Sequence, residues 1–411
     1  MTIVRPEEDV VRAEGGGRVL APLVPLALVA GISPLATDMY IPGLPELAAD
    51  LRTTPAVASL TLTAFLVAFA VGQLVVGPLS DAIGRRRLVL LGTAAFAVAS
   101  VLCAVSPTAP VLLVARLVQG LAGAASAVAG RAMVTDVLTG VRRARTIASL
   151  SAINAVGPVV APLIGGVLLG VGTWRLSFWL LAVVGVALFA VVVATFPETL
   201  PVERRSPGVG LAANGRRTGA LLANPRFSLY LVTSCVATVG FFAYISTSAF
   251  VFQTHYGFSS SRYTLVFASN AFCMIVTTVL FGRLVGRVSE DRLLTVGLAA
   301  ATAGSLGVLA GALLHGPAGL VWACLAVVTG AQGLVITGSA TRTQALGHAT
   351  PGTAAALSGG LAFGIGGLGT PLAGLLGGTV TAMGAVMAVG LGLGLLLQTV
   401  GPRLLGPVRE G

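Results

Sequence analysis

Twelve apolar runs follow one another along this sequence, separated by short polar gaps. A helix needs about 20 mostly apolar residues to cross a bilayer. Runs of that kind fall at 19–43, 56–79, 88–106, 109–135, 145–170, 175–196, 226–252, 262–285, 292–314, 317–341, 353–378 and 380–401. The gaps are too short to hold an extramembrane domain. Charged residues make up only 9% of the chain, against about 25% in an ordinary soluble domain. The expected class is therefore an all-α integral membrane protein with 12 transmembrane helices.

The net charge of +11 would suit a nucleic-acid binder, but its placement argues otherwise. All 25 basic residues are arginines, and they cluster in alternate loops. Arg85, Arg86 and Arg87 form one cluster, and Arg142, Arg143 and Arg145 another. Arg204, Arg205, Arg216, Arg217 and Arg226 form a third, and Arg283, Arg287 and Arg292 a fourth. The opposite loops carry only Arg52, Arg175 and Arg262. This is the positive-inside pattern, and it predicts both termini in the cytoplasm. The four cysteines fall inside spans and imply no disulfide framework. The three histidines sit apart at loop edges and imply no metal site.

The longest polar stretch, 197–227, divides six spans from six. Weak internal similarity links the halves: GPLSDAIGRRRLVLLG follows span 2, and FGRLVGRVSEDRLLTVG follows span 8. GPVVAPLIGGVLLG in span 5 has a counterpart, GIGGLGTPLAGLLGG, in span 11. Such paired halves mark transporters built from two repeats. The expected organisation is a cytoplasmic tail (1–18), an N-terminal six-helix bundle (19–196), a cytoplasmic linker (197–225), a C-terminal six-helix bundle (226–401) and a cytoplasmic tail (402–411).

Several motifs then resemble a known family. GPLSDAIGRRR is similar to the signature between helices 2 and 3 of the major facilitator superfamily, matching at Gly77, Leu79, Asp81, Gly84, Arg85 and Arg86. ARLVQGLAGA resembles its helix-4 motif, and GPVVAPLIGG its helix-5 antiporter motif. LATDMYIPGLP, PETLPVERR and FGIGG resemble the Bcr/CflA group of proton-coupled drug exporters. The resemblance implies the major facilitator fold, two pseudo-symmetric six-helix bundles, in a bacterial inner membrane.

The resemblance also implies roles for these motifs. Asp81 would lie near the start of helix 11, where the positive end of the helix dipole favours a carboxylate. Arg85 would pair with Asp136, shutting the cytoplasmic side. The second half has Gly286 where Asp81 stands, so such a latch is expected on one side only. Gly157, Pro158 and Pro162 would let helix 5 bend and pack closely against the other half.

Asp38 is the one acid well inside a span. It lies four residues before Pro42, ~6 Å below the outer end of helix 1. Arg116 lies six residues after Pro110, ~9 Å below the same face. Neither charge is tolerated facing lipid, so both should face the bundle interior or a water-filled cavity. A carboxylate there can load and release a proton as its access, or its distance from arginine, changes. A fixed Asp38–Arg116 salt bridge that only holds helices together is the structural alternative. Some relatives have a second helix-1 acid where this chain has Ala30, so a single site suggests one proton per cycle.

The cavity is expected to be mostly apolar with few polar groups. Candidate lining residues are Thr37, Asp38, Gln119, Asn154, Phe241, Tyr244, Asn270 and Phe363. The expected function is proton-coupled efflux of small lipophilic drugs, chloramphenicol-like or other neutral antibiotics, by a monomer that is not an enzyme. The proton gradient supplies the energy, and no cofactor is expected. Export of one endogenous metabolite, or a receptor of the same fold, are the competing readings.

Overall fold

The computed structural model describes residues 32–138, 140–201, 205 and 209–405, without the side chains of 78, 141–145, 147–155, 209–214 and 351. Helix α1 covers 32–38 and ends in a turn before Pro42. A 3-10 turn, Ile41–Gly43, leads into α2 (Leu44–Asp50). Proline cannot donate to the helix ladder and disfavours helix in the residue before it. Pro42 and Pro45 thus end the first span where the carboxylate stands.

Long helices follow: α3 (Pro55–Ile83), α4 (Arg85–Ala104), α5 (Ala109–Val137), α6 (Gly140–Val171) and α7 (Arg175–Thr195). A short helix, α8 (Val209–Leu222), occupies the stretch expected to be a plain linker. The second half contains α9 (Pro225–Phe250), α10 (Ser260–Leu284), α11 (Glu290–Leu313) and α12 (Ala318–Leu346). It ends with α13 (Pro351–Gly366), α14 (Gly369–Leu375) and α15 (Val380–Leu404). Local chemistry sets several starts: the Asn224 side chain accepts from the N–H groups of Arg226 and Phe227 with Pro225 in the first turn, and Ser259, Ser289 and Thr379 cap α10, α11 and α15 in the same way. Such caps satisfy N–H groups that no helix can pair internally.

Ten described helical segments are long and apolar enough to span a membrane, and α6 adds a shorter apolar stretch, Val156–Val171. Most of the first predicted span, 19–43, lies outside the described residues. Helices α3, α4, α5 and α7 pack on one another, as do α9, α10, α11, α12 and α15. Between the two sets, α6 meets α10, and α3 meets α13 and α14. The break between α13 and α14 sits at this seam: the Thr63 hydroxyl donates to the Gly367 carbonyl at 2.9 Å.

Several contacts across the seam lie at the end carrying Pro42. The Gln253 amide donates to the Pro42 carbonyl (2.8 Å), and the Thr370 hydroxyl to the Ser59 carbonyl (3.1 Å). Gly374 lies against Ala56, and Gly378 against Pro55.

Candidate functional site

Asp38 is buried at the end of α1, and Tyr244 of α9 and Tyr263 of α10 lie within its electrostatic reach. The helix-1 acid of the first half therefore faces α9 and α10 of the second. Thr37 beside it donates to the carbonyls of Ser33 and Pro34, each at 3.1 Å. No ion pair joins Asp38 to any described residue, so the fixed Asp38–Arg116 bridge, the structural alternative to a titrating acid, is not formed.

Arg116 is instead committed to the first half. Its Nε donates to the Thr61 carbonyl (3.1 Å), and its Nη1 to the Ala36 carbonyl (3.0 Å) and the Gln119 amide oxygen (2.7 Å). Its carbon centre lies 4.7 Å from the Tyr40 ring and 4.6 Å from the Phe65 ring. A charge can be buried on these terms because hydrogen bonds and ring faces replace its water. Only Nη2 has no partner among the described residues. The Gln119 amide in turn donates to Ser100 at 2.7 Å, so Gln119 holds α5 against α4 and is not beside Asp38.

The other candidate lining residues divide. Asn270 donates to the Tyr244 hydroxyl at 3.2 Å, and Phe241 lies 5.9 Å from Tyr244. The Asn270 carbonyl oxygen is buried with no partner among the described residues. Thr37, Asp38, Phe241, Tyr244 and Asn270 thus come together at the seam. Phe363 stands apart on α13, half exposed, with its ring 5.9 Å from Phe242. Asn154 lies on α6, and its side chain falls outside the described residues. Tyr263, whose hydroxyl shares a 2.9 Å hydrogen bond with Ser248 and whose ring lies 6.3 Å from Phe252, also belongs to this group. Its position at a loop edge in SSSRYTLVF hid it.

Helix α6 approaches the second half at Gly166, whereas Gly157, expected to face that half, packs on α1 of its own. Gly157 lies against Pro34, and Gly165 against the Met39 backbone. Any side chain at Gly166 would strike Thr264 of α10. Pro158 and Pro162 lie inside α6 without ending it.

At the opposite end of the helices, Arg85 pairs with Asp136 at 3.1 Å and with Asp81 at 2.6 Å. Asp81 is thus paired with the arginine of its own loop. Gly77 has open space around it, so no neighbour requires a glycine there. Gly84 is doubly constrained: its φ of 102° belongs to glycine, and a Cβ there would strike Glu198. Glu198, in the PETL stretch, accepts from the backbone N–H groups of Arg85 (2.9 Å) and Arg86 (3.4 Å), capping α4. Arg86 reaches the carbonyls of Phe196 and Val193, tying α4 to the end of α7.

The second half carries a copy of this cluster with the charges exchanged. Arg342 pairs with Asp291 at 3.0 Å and Glu290 at 3.6 Å. Asp291 stands 206 residues after Arg85, and Arg342 stands 206 after Asp136. The paired charges are two-sided, which the missing Asp81 counterpart concealed.

At the Pro42 end, Asp50 accepts from Trp174 Nε1 (3.1 Å) and Arg175 (2.9 Å). Burial raises the pKa of Glu46 above its ordinary 4.5, opposed by a hydrogen bond from the Trp174 backbone and reinforced by Asp50.

Comparison with known proteins agrees with this architecture. The profile of the Major Facilitator Superfamily matches residues 26–374. The chain is 35% identical over 366 residues to an uncharacterized MFS-type transporter, YdgK, of Bacillus subtilis, covering 89% of this chain and 91% of that one. It is 28% identical over 277 residues to a bicyclomycin resistance protein homolog of Haemophilus influenzae, covering 67% and 69%. Among solved structures, a bacterial homolog of the human lysosomal transporter Spinster, in an inward-facing and unoccupied conformation, superposes with a TM-score of 0.70 at 17% identity, covering 95% and 96%. The chain belongs to the major facilitator superfamily of membrane transporters.

Proposed function

We propose that this protein exports small, neutral, lipophilic compounds, chloramphenicol-like antibiotics first among them, in exchange for protons. The observation that carries this reading is Asp38. It is a buried carboxylate at the seam between the halves, without a fixed counter-ion among the described residues, facing Tyr244 and Tyr263. Ionisable groups at membrane depth mark ion and substrate pathways. A carboxylate clamped permanently by arginine would resist titration, and this one is not clamped. Arg116 Nη2 is a donor that Asp38 gains if α1 shifts as the halves rock, which favours proton release in that state.

Arginine placement supports a cytoplasmic position for the Arg85 end and both termini, and the bacterial relatives support an inner membrane. The Pro42-end contacts then lie on the outer side, and the Arg85–Asp136 pair at the cytoplasmic end holds its own half together. Phe241, Tyr244 and Asn270 offer aromatic faces and few polar atoms, which suits an apolar guest. The likeness to a bicyclomycin resistance homolog supports a drug, rather than a metabolite, as cargo. The protein works as a monomer, with the proton gradient as its energy source and no cofactor.

Chloramphenicol accumulation in cells tests this. The wild type should lower accumulation, and a protonophore or Asp38→Asn should abolish the effect. Efflux that survives both treatments sinks the exchange reading.

A further inference from the structure

The interior of the second bundle contains a line of buried polar side chains that lack hydrogen-bond partners. Thr233 Oγ1, Ser339 Oγ, Gln398 Oε1 and both amide atoms of Gln332 have none among the described residues. Gln332 and Thr233 are 0% exposed. Polar atoms buried this way are rarely left unmet, and ordered water is the usual partner.

Packing contacts fix their order along the bundle. Gly297 of α11 packs on Ala331 and Val335, which flank Gln332. One residue along α11, Leu298 packs on Gly394 of α15, which also meets Thr233 and Ala237 of α9. Gln332 therefore sits level with Ala237 and Gly394. Gly330 and Gly333 pack on Cys273 and Thr277 of α10, so Asn270 lies about 8 Å above Gln332 at 1.5 Å per residue.

Below Gln332, Gln398 falls between Gly394, on Thr233, and Gly401, on Leu229. Ser339 stands beside Gly338, which packs on Leu294. The next turn reaches Tyr230, whose hydroxyl donates to Asp291 at 2.6 Å and accepts from Arg342 at 3.2 Å. A cleft of about 410 Å³, lined by residues 286–291 and Arg342, opens that cluster to solvent. The line thus runs ~21 Å, from Tyr244 to Tyr230 along α9.

We propose that the core of the second bundle holds a file of ordered waters, from the Tyr244–Asn270 pair through Gln332 to the Tyr230–Arg342–Asp291 cluster, and that this file carries the exchanged proton between Asp38 and the cleft. Each water accepts a proton from one neighbour and passes another to the next, so one proton moves with no net bond change. Two carboxylates face the single guanidinium at the mouth, leaving it net negative. The transport role rests on the exchange reading above; the waters do not.

The test uses the full-length protein in two measurements. Hydroxyl radicals generated by X-ray radiolysis label side chains beside bound water. Val335 and Leu298, both shielded from bulk solvent, should be oxidised in the wild type and protected in Gln332→Leu. In proteoliposomes, chloramphenicol-driven proton flux should fall at least tenfold in Gln332→Leu, recover in Gln332→Ser, and leave chloramphenicol binding unchanged. Absence of labelling in the wild type overturns the file. Labelling with Gln332→Leu flux within twofold of wild type overturns its proton role. Equal flux from wild type and Asp38→Asn overturns the exchange reading and with it the route from Asp38, while labelling still decides the file.

Discussion

Arg116 grips the backbone carbonyl of Ala36 at 3.0 Å, two residues before Asp38, while making no ion pair with the acid itself. The guanidinium positions the helix that carries the carboxylate and leaves the carboxylate free to change charge. Arg116→Ala would remove the donors that reach the Ala36 and Thr61 carbonyls and Gln119, and empty the space between Tyr40 and Phe65. A hydrogen bond to a charged group contributes about 1.5–3 kcal/mol, so thermal unfolding in detergent should show a loss of several kcal/mol. Arg116→Lys should recover little, because an ammonium cannot reproduce the planar fork. Full recovery by lysine would show that charge alone matters there.

Gly166 faces Thr264 across the seam with no room for a side chain. Gly166→Val should hold α6 and α10 apart and slow transport, while Gly166→Val with Thr264→Ala should recover part of the rate. The comparison is made by transport assay at matched expression. A double variant no better than the single one would place the defect within α6.

Glu198 caps α4 through the Arg85 and Arg86 N–H groups. Glu198→Ala should cost about 1 kcal/mol, as lost N-caps do, read as a lower midpoint in thermal unfolding. Chloramphenicol affinity should not move, since Glu198 sits at the far end of the helices from Asp38.

Glu46 provides a pH test outside the spans. Its raised pKa means the folded protein binds its proton more tightly than the unfolded chain does. Stability therefore falls as pH rises through the window above the ordinary value of 4.5, and the penalty is complete at higher pH. Glu46→Gln should melt higher than wild type at pH 8, with the gain vanishing below pH ~4.5. A gain that is constant with pH would assign the effect to packing.

The fold was legible because bilayer physics is strict: span length, arginine placement and paired motifs lead to the same architecture. Asp38 was legible for the same reason, since an acid in an apolar run demands explanation. Its surroundings were not. Matching depths of Asp38 and Arg116 could not reveal that the guanidinium turns to carbonyls and rings instead. Gln119 read as a cavity residue because one sequence cannot say which face of α5 meets α4. The exchanged charges of Asp291 and Arg342 are hidden because the two halves carry unlike residues there, whereas an ion pair survives reversal of both signs. Gln332, Thr233 and Gln398 look ordinary in sequence, and only burial without partners singles them out.

Asp38 is the residue on which the account turns. The most direct measurement is chloramphenicol-driven proton movement in proteoliposomes, recorded with an internal pH dye for wild type and Asp38→Asn. The account predicts that a drug gradient moves protons the opposite way through wild type, and that Asp38→Asn still binds drug but moves none. Proton movement by Asp38→Asn at the wild-type rate would contradict it.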